Sequence, residues 1–289
     1  MVALITPMTL TGEADIEALE ELVAFHLNSK TDAIVAMGTT GESATFSHKD
    51  HRAIVKQIIK FVGGGIPVIA GTGSNSTTEA LALTQAAKDD GADGVLLVSP
   101  YYNKPPQEGL YQHHKLIADK VAIPQMLYNV PGRTASDMLP ETVERLSKIS
   151  NIVAIKEATG SLERAKEVMD RCGDSIDVIS GDDAIAMEMI LMGGKGNISV
   201  TANVAPAQMY EMCKAAAEGD RAKAESFNSL LLELHSKLFV ETSPIPVKWV
   251  MHKMGYGSNT VRLPLVPLAE EYYPVLTDAM EFAGIKSKV

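Results

Sequence analysis

Residues 151–160 read NIVAIKEATG, an apolar run that ends on a lysine and a glutamate. The four apolar residues from Ile152 to Ile155, two Ile among them, are typical of a strand buried on both faces. Lysine is rarely buried, because its ammonium loses its hydration there. Lys156 therefore has two interpretations: the strand simply reaches solvent, or an amine is held at the end of a buried strand for chemistry.

Similar strand-like runs recur along the chain, with helix-like segments between them. The other runs are residues 2–6, 33–37, 66–70, 94–98, 123–128, 176–180 and 196–200. They are near-continuous rather than alternating, as expected for parallel strands covered by helices on both faces. Helix-like segments include residues 15–27, 48–61, 77–89 and 162–171, and three of these follow N-cap serines: Ser47, Ser76 and Ser161.

Eight β–α units over residues 1–217 predict an α/β fold, a (β/α)₈ TIM barrel. A C-terminal helical region over residues 218–289 follows, with helices expected near 221–239, 244–254 and 270–283. The alternative is a doubly wound open sheet, which is disfavoured because no GxGxxG motif follows the first strand.

Composition and charge restrict the classes of function. The 289 residues are 46% hydrophobic and 21% charged, as in a globular protein with a sizeable core. The net charge of −10 argues against a nucleic-acid partner. Two cysteines cannot form a disulfide framework, and no apolar run approaches the roughly 20 residues of a membrane-spanning helix. We therefore predict a cytoplasmic protein with no membrane partner.

In a barrel of this kind the active site lies at the carboxyl ends of the strands, which is where Lys156 stands. Side chains alternate along a strand, so an inward Lys156 takes Ile152 and Ala154 with it, whereas Val153 and Ile155 face the helices. An amine in this position can attack a ketone or aldehyde to form a Schiff base. Tyr128 ends the neighbouring strand and is the candidate proton shuttle.

Two further motifs indicate an anionic substrate. In GTTGE, residues 38–42, the glycines let backbone N–H groups approach a small anion, and Thr39 and Thr40 add hydroxyls that suit a carboxylate. In YNVPGRT, residues 128–134, Arg133 is suited to bidentate capture of a carboxylate. GTGSNS, residues 71–76, lacks the lysine of a P-loop, so we do not expect a phosphorylated substrate.

The histidines give weaker signals. His48 and His51 share a helix face, but no third ligand accompanies them, so we predict no metal. His113 and His114 are adjacent and point apart, and we expect both at the surface. From the residues alone, the prediction stops at a Schiff-base barrel enzyme acting on a small keto acid.

Motifs along nearly the whole chain resemble the dihydrodipicolinate synthase family, which opens the lysine branch in bacteria and plants. They are ITPM, GTTGESAT, PVIAGTG, SPYYNKP, LYNVPGRT, IKEATG, SGDDA, GNISVTANV and PIPVKW. The resemblance implies condensation of pyruvate with L-aspartate 4-semialdehyde through a lysine Schiff base, with no cofactor and no metal. It also implies a homotetramer built as a dimer of dimers.

The resemblance also implies roles for matching positions. Lys156 would form the imine with pyruvate. Tyr128, Thr40 and Tyr102 would form the proton relay, with Tyr102 reaching into the neighbouring subunit's site.

Other matching positions would bind the substrates. Thr39 and Thr40 would hold the carboxylate of pyruvate. Arg133 would orient Tyr128 and receive the carboxylate of the semialdehyde, and the backbones of Gly181 and Ile198 would line the pocket.

A regulatory site is implied as well. In lysine-inhibited members a crevice at the dimer interface binds L-lysine through residues matching Ser43, Ala44, His48, His51, Asn75, Glu79 and Tyr101. Glu79 would meet the α-amino group of the inhibitor, Asn75 and Tyr101 its carboxylate, and His51 its side-chain end. We therefore predict feedback inhibition by lysine.

Other functions stay open at the level of sequence. Related Schiff-base enzymes, such as N-acetylneuraminate lyase and keto-deoxy sugar-acid aldolases, share the lysine and tyrosine. Arg133 and the double tyrosine at 101–102 favour the synthase. A metal-dependent aldolase would need three or more convergent ligands, and the sequence shows no such set. A catalytically silent binding barrel is the other alternative, and the intact Lys156, Tyr128 and Thr40 argue against it.

Overall fold

A parallel sheet of seven strands organises the chain, and the computed structural model describes all residues, 1–289. The strands follow one another in the sheet in their order along the chain, and each recorded pair is parallel. They are β1 (Val2–Ala3), β2 (Ile34–Ala36), β3 (Val68–Gly71), β4 (Gly94–Val98), β5 (Gln125–Asn129), β6 (Ile152–Glu157) and β7 (Asp177–Ser180). Parallel neighbours need a crossover, and helices supply it.

The α-helices alternate with the strands and then continue alone to the C-terminus. They are α1 (Ile16–Asn28), α2 (His48–Val62), α3 (Thr77–Asp89), α4 (Gln107–Lys120), α5 (Pro131–Thr134), α6 (Pro140–Leu146), α7 (Leu162–Cys172), α8 (Ala186–Leu191), α9 (Pro206–Ala217), α10 (Arg221–Lys237), α11 (Ile245–Lys253) and α12 (Tyr273–Phe282). None of them is both long and apolar enough to cross a membrane.

The contacts within the chain group into two compact units. One comprises residues 1–68 and 199–289, and the other comprises residues 69–198. The division expected from the sequence, a barrel over 1–217 and a helical region over 218–289, stays a prediction.

The N-caps of three helices are confirmed. The hydroxyl of Ser47 accepts the backbone N–H of Asp50 at 3.2 Å, and that of Ser161 accepts the backbone N–H of Arg164 at 3.1 Å. Ser76 makes the same bond to Glu79 at 3.4 Å. Each hydroxyl satisfies a donor that the first turn of the helix leaves without a partner, which is why serine marks these starts.

The eighth predicted strand, residues 196–200, forms only isolated bridges. Asn197 bridges Ser180 of β7, and Ser199 bridges Val2 of β1. A 3₁₀ turn over Thr201–Asn203 follows at once, and the Ser199 hydroxyl accepts the backbone N–H of Ala202 at 2.8 Å. This turn ends the extended segment before a longer ladder can form.

An irregularity in β6 changes which face its first residues occupy. Gln125 pairs with Ile152 but Met126 pairs with Ala154, so Val153 is an extra residue and is 41% exposed. Ile152 and Ile155 therefore both belong to the buried cluster formed with α4, α6 and α7. The prediction that Ile152 shares a face with Lys156 is wrong, because a bulge interrupts the alternation.

His113 and His114 are buried, so the prediction that they lie at the surface is wrong. Their rings meet edge to face with centroids 4.9 Å apart. The ring of His113 reaches Thr77 of α3, its Nδ1 lying 2.9 Å from the hydroxyl, whereas both ring nitrogens of His114 lack a hydrogen-bond partner. Helix α4 packs against both α3 and α6, so its buried face is wide enough for two adjacent residues.

We expect the buried histidines to make the fold acid-labile. Burial lowers the pKa of His26 to about 3 and of His113 to about 4, and it holds the pKa of His114 well below 6.5. As the pH falls below 6.5, the unfolded chain binds protons that the folded chain excludes, so the free energy of unfolding decreases. Each such histidine contributes a slope of about 1.4 kcal/mol per pH unit.

Replacing His114 by leucine isolates one of these contributions. The change removes two unpartnered polar nitrogens, so stability at pH 7 is expected to hold or rise. Between pH 6 and 4.5, the free energy of unfolding measured by urea denaturation should fall less steeply with decreasing pH. The slope should be smaller by that of one proton, about 1.4 kcal/mol per pH unit. His48→Leu, which removes an exposed imidazole, is the control. A slope unchanged in His114→Leu would contradict this account.

Candidate active site

Lys156 and Tyr128 form a buried pair at the ends of two neighbouring strands. They are opposite each other in the β5–β6 ladder, and each is only 6% exposed. The Lys156 Nζ lies over the Tyr128 ring, 4.3 Å from its centroid. The lysine therefore does not simply reach solvent at the end of its strand; its amine is held in a closed environment beside a phenol.

Gly181, just after β7, leaves the space that the lysine side chain occupies. A Cβ at this position would lie 2.8 Å from Lys156 Cε and 2.7 Å from the Cβ of Ala158. Its N–H donates to the carbonyl of Glu157 at 2.8 Å, which holds the two backbones together. Ile198 is also buried, and its N–H donates to the carbonyl of Ser180 at 2.9 Å. The structure thus brings Gly181 to the lysine and fixes Ile198 beside the end of β7.

On the opposite face of the same two strands lies a second polar pair, Asn129 and Glu157. Asn129 Nδ2 lies 3.4 Å from Glu157 Oε2, and the other oxygen of Glu157 accepts the Thr159 N–H at 2.8 Å. Burial raises the pKa of Glu157 even though these hydrogen bonds oppose the shift. Neither residue was predicted to have a role, although Glu157 directly follows Lys156 in the sequence.

This pair is tied to the loop that follows β5. Asn129 accepts the Met138 N–H at 2.9 Å and donates to Asp137 at 2.9 Å. Asp137 in turn forms a bidentate pair with Arg164 of α7, at 2.8 and 3.0 Å. Burial favours the neutral form of Asp137, but hydrogen bonds from Arg164 and Asn129 outweigh it and lower the pKa of that carboxyl. The network fixes both ends of residues 130–138, the segment that carries Arg133.

Replacing Arg164 by methionine is expected to lower the free energy of unfolding by about 1–3 kcal/mol, because Asp137 loses its bidentate partner while partly buried. Arg171→Met is the matched control on the same helix. Its guanidinium meets Glu141, Glu144 and Glu167 at the surface, where ion pairs contribute about 0–1 kcal/mol. If denaturant titrations gave the two variants the same decrease in free energy of unfolding, the Asp137 network would contribute no more to stability than a surface ion pair.

Arg133 and the double tyrosine lie on exposed segments of the same unit. Arg133 belongs to the single turn α5, where its N–H donates to the carbonyl of Val130 at 3.0 Å. Tyr102 is 88% exposed, and its N–H donates to the carbonyl of Thr134 at 3.2 Å. Its φ of +71° is uncommon outside glycine and often marks a functional position. Tyr102 is therefore not part of the buried Lys156–Tyr128 pair of its own chain.

The GTTGE turn belongs to the other unit. Thr40 is buried and Thr39 is exposed. The turn is closed by backbone bonds from Gly41 to Gly38 at 3.1 Å and from Glu42 to Thr39 at 3.0 Å. The Thr6 hydroxyl donates to the carbonyl of Gly41 at 2.8 Å. The backbone of the turn is thus fixed, while the binding of a small anion by the two threonines stays a prediction.

The residues predicted to bind lysine are divided between the units. Ser43, Ala44, His48 and His51 follow the GTTGE turn and open α2, and only His51 is buried. Asn75, Glu79 and Tyr101 belong to the unit of residues 69–198. There Asn103 donates to the Asn75 carbonyl at 2.9 Å, and Glu79 accepts from the Ser74 hydroxyl at 2.9 Å. No group of three His, Cys, Asp or Glu side chains is arranged to hold a metal ion.

Comparison with known proteins gives whole-chain matches. The model of the dihydrodipicolinate synthetase family matches residues 1–283. A 4-hydroxy-tetrahydrodipicolinate synthase of Pseudomonas aeruginosa is 58% identical over 285 residues, which are 99% of this chain and 98% of the relative.

Solved structures agree over the same length. The chloride-inhibited dihydrodipicolinate synthase of Acinetobacter baumannii, complexed with pyruvate, is 52% identical with a TM-score of 0.97 and 98% coverage of both chains. The enzyme of Cyanidioschyzon merolae with lysine bound is 37% identical with a TM-score of 0.95, covering 98% of this chain and 97% of its own. The predicted α/β class and TIM-barrel architecture are confirmed. The chain belongs to the dihydrodipicolinate synthetase family.

Proposed function

We propose that the protein is a 4-hydroxy-tetrahydrodipicolinate synthase that condenses pyruvate with L-aspartate 4-semialdehyde through an imine at Lys156. The observation that carries the proposal is the buried amine of Lys156 over the ring of Tyr128. Relatives named for this activity match the whole chain, which supports the choice among Schiff-base enzymes.

In the proposed mechanism the Lys156 amine attacks the ketone carbon of pyruvate, and one water leaves as the C=N bond forms. The protonated imine withdraws electrons, so the methyl group loses a proton and an enamine results. The enamine carbon then attacks the aldehyde carbon of the second substrate and forms the new carbon–carbon bond. The C=O π bond breaks as the aldehyde oxygen takes up a proton and becomes a hydroxyl, and the protonated imine at Lys156 re-forms. The amino group of that substrate finally displaces the lysine, which closes the ring and frees the enzyme.

Each of these proton transfers needs an acid or base close to the nitrogen. Tyr128 is the proposed donor and acceptor, since its ring packs against Nζ. Thr40 and Tyr102 are proposed as the rest of the relay, with Tyr102 of one subunit serving the site of its neighbour. The exposure and left-handed backbone of Tyr102 support a role outside its own chain.

Carboxylate binding is assigned to three side chains. Thr39 and Thr40 would hold the carboxylate of pyruvate, and Arg133 would receive that of the semialdehyde. Gly181 and Ile198 would line the pocket with backbone atoms. The closed GTTGE turn and the fixed ends of the 130–138 loop support these roles, because neither segment has to be ordered when substrate binds. The reaction needs no cofactor in this scheme. The homotetramer and the cytoplasmic location stay predictions.

Trapping the imine tests the function. Wild-type protein is incubated with pyruvate and borohydride, and its intact mass and proteolytic peptides are measured. We expect one adduct of reduced pyruvate on the peptide carrying Lys156. Lys248, the other buried lysine, is the internal control and should stay unmodified because Glu42 occupies its amine. A folded protein without an adduct would overturn the proposal, and an adduct without turnover of the semialdehyde would favour a different Schiff-base aldolase.

The proposed regulation is feedback inhibition by L-lysine at the site predicted from the sequence. Two observations support it: Glu79 is exposed in the first turn of α3, and Tyr101 is directly next to Tyr102 of the proton relay. L-Lysine bound at Tyr101 would then slow the proton relay by acting on the neighbouring Tyr102. An initial rate unchanged by millimolar lysine would contradict this proposal.

Replacing Glu79 by glutamine is expected to raise the lysine concentration for half-inhibition about tenfold or more, because a charged hydrogen bond to the α-amino group contributes about 1.5–3 kcal/mol. Activity without lysine should be unchanged. Glu163→Gln is the matched control, since Glu163 also lies in the first turn of a helix with a serine N-cap. Equal lysine sensitivity in the two variants would exclude Glu79 from the site.

A further inference from the structure

A buried ion pair joins the GTTGE turn to the C-terminal part of the chain. Lys248 Nζ of α11 donates to Glu42 Oε1 at 2.6 Å, and both side chains are fully buried. The other oxygen, Glu42 Oε2, accepts the Arg262 N–H at 2.9 Å. Both oxygens of the carboxylate are thus used, and α11 and the segment around Arg262 converge on one residue of the turn.

Contacts other than this ion pair also restrict the movement of the GTTGE turn. Glu42 adopts a φ of +59°, a conformation that costs a non-glycine residue energy and persists only where its surroundings enforce it. A Cβ on Gly41 would lie 3.2 Å from the Leu4 carbonyl oxygen and 3.1 Å from Met37 Cα, so the backbone is packed closely there. The guanidinium of Arg262 covers the Phe46 ring at 4.2 Å. The ion pair therefore closes the turn from the side of the C-terminal helices.

Stability alone does not account for an ion pair in this location. Burial lowers the pKa of Lys248, and the charge of Glu42 opposes the shift. Buried pairs can often be replaced by neutral groups without loss of stability, whereas removing one partner leaves a destabilising lone charge. What the neutral replacement does lose is the fixed geometry that two charge-assisted hydrogen bonds impose on Glu42.

We propose that Glu42 and Lys248 are positioning residues that set the geometry of Thr39 and Thr40 for a substrate carboxylate. The inference rests on the proposed function, since it takes that carboxylate to be the one on pyruvate. Thr39 and Glu42 are joined by a backbone hydrogen bond at 3.0 Å, so a displacement of Glu42 is passed directly to the threonines. Lys248 acts through Glu42, because its buried amine has no access to substrate.

Three variants test this role: Glu42→Gln, Lys248→Met and the double variant. Unfolding free energy is measured in urea, and kcat and the KM for pyruvate are measured separately. Both single variants are expected to raise the KM for pyruvate about tenfold or more. The double variant has no unpaired buried charge, so its stability should return towards that of the wild type while its KM for pyruvate stays raised. At saturating pyruvate kcat should change less than KM.

The contrary results are equally distinct. A KM that returns to the wild-type value together with stability would make the pair structural only, and so would a double variant that cannot fold. Lys30→Met, which removes the exposed Lys30–Glu211 pair of the same unit, should alter neither property. Borohydride trapping on the wild type separates the two proposals. Without a pyruvate adduct the proposed function fails; with an adduct and an unchanged KM in the double variant, only the positioning role fails.

Discussion

Replacing Lys156 by methionine should abolish the pyruvate adduct and lower kcat by about 10⁴-fold or more, because the amine proposed to form the imine is removed. Methionine keeps an unbranched chain in the space beside Gly181, so the variant should fold. The measurement is single-turnover kinetics with both substrates, together with intact mass after borohydride.

The thermal unfolding midpoint of Lys156→Met provides the control for structure. The amine of Lys156 lies over the Tyr128 ring and is not paired with a carboxylate, so its removal leaves no unpaired charge. The midpoint of the variant should therefore equal or exceed that of the wild type. Residual activity within a hundredfold of the wild type would mean that Lys156 is not the nucleophile. A second lysine would then have to carry the adduct, and peptide mapping would identify it.

Replacing Tyr128 by phenylalanine should lower kcat about 10²–10⁴-fold, the usual contribution of a positioned acid or base. The ring stays over Nζ, so packing is kept and only the hydroxyl is lost. The imine should still form, but more slowly, and stopped-flow trapping with borohydride would resolve the difference. Loss of rate with a retained adduct is the signature of a missing proton shuttle.

Tyr111→Phe is the matched control for this prediction. Tyr111 lies in the same unit, and the guanidinium of Arg145 covers its ring at 3.9 Å. Its hydroxyl has no proposed part in the reaction, so kcat should be unchanged. If Tyr128→Phe also retained full activity, the proton relay would not use this hydroxyl, and the Tyr128 ring would serve only to pack against Lys156.

Local patterns in the sequence predicted the parts of the fold that depend on short-range chemistry. The serines at 47, 76 and 161 cap helices because each hydroxyl meets a donor three residues later. Lys156 and Tyr128 could be paired because parallel strand ends meet at one edge of a sheet. These inferences need only spacing and periodicity.

The features that were missed depend on contacts between distant residues. The bulge at Val153 shows only when β6 is set against β5, and it decides the face of Ile152. Two adjacent histidines become buried only because α4 has neighbours on both sides. The Asp137–Arg164 and Glu42–Lys248 pairs span 27 and 206 residues. A signal for Lys248 did exist: PIPVKWV, residues 244–250, places a lysine in an apolar run, just as NIVAIK does.

The strands that carry Lys156 and Tyr128 hold a different pair on their reverse side, and this arrangement affects how the enzyme can change. Tyr128 and Lys156 are set by strand register, while Asn129 and Glu157, one residue further along each strand, anchor the loop that bears Arg133. With Arg133 in its proposed role, substitutions within residues 130–138 should change the choice of acceptor aldehyde while Lys156, the proposed nucleophile, keeps its geometry. A library restricted to that loop is the economical route to new carbon–carbon bond-forming activities, and natural divergence to other keto-acid aldolases could follow the same course.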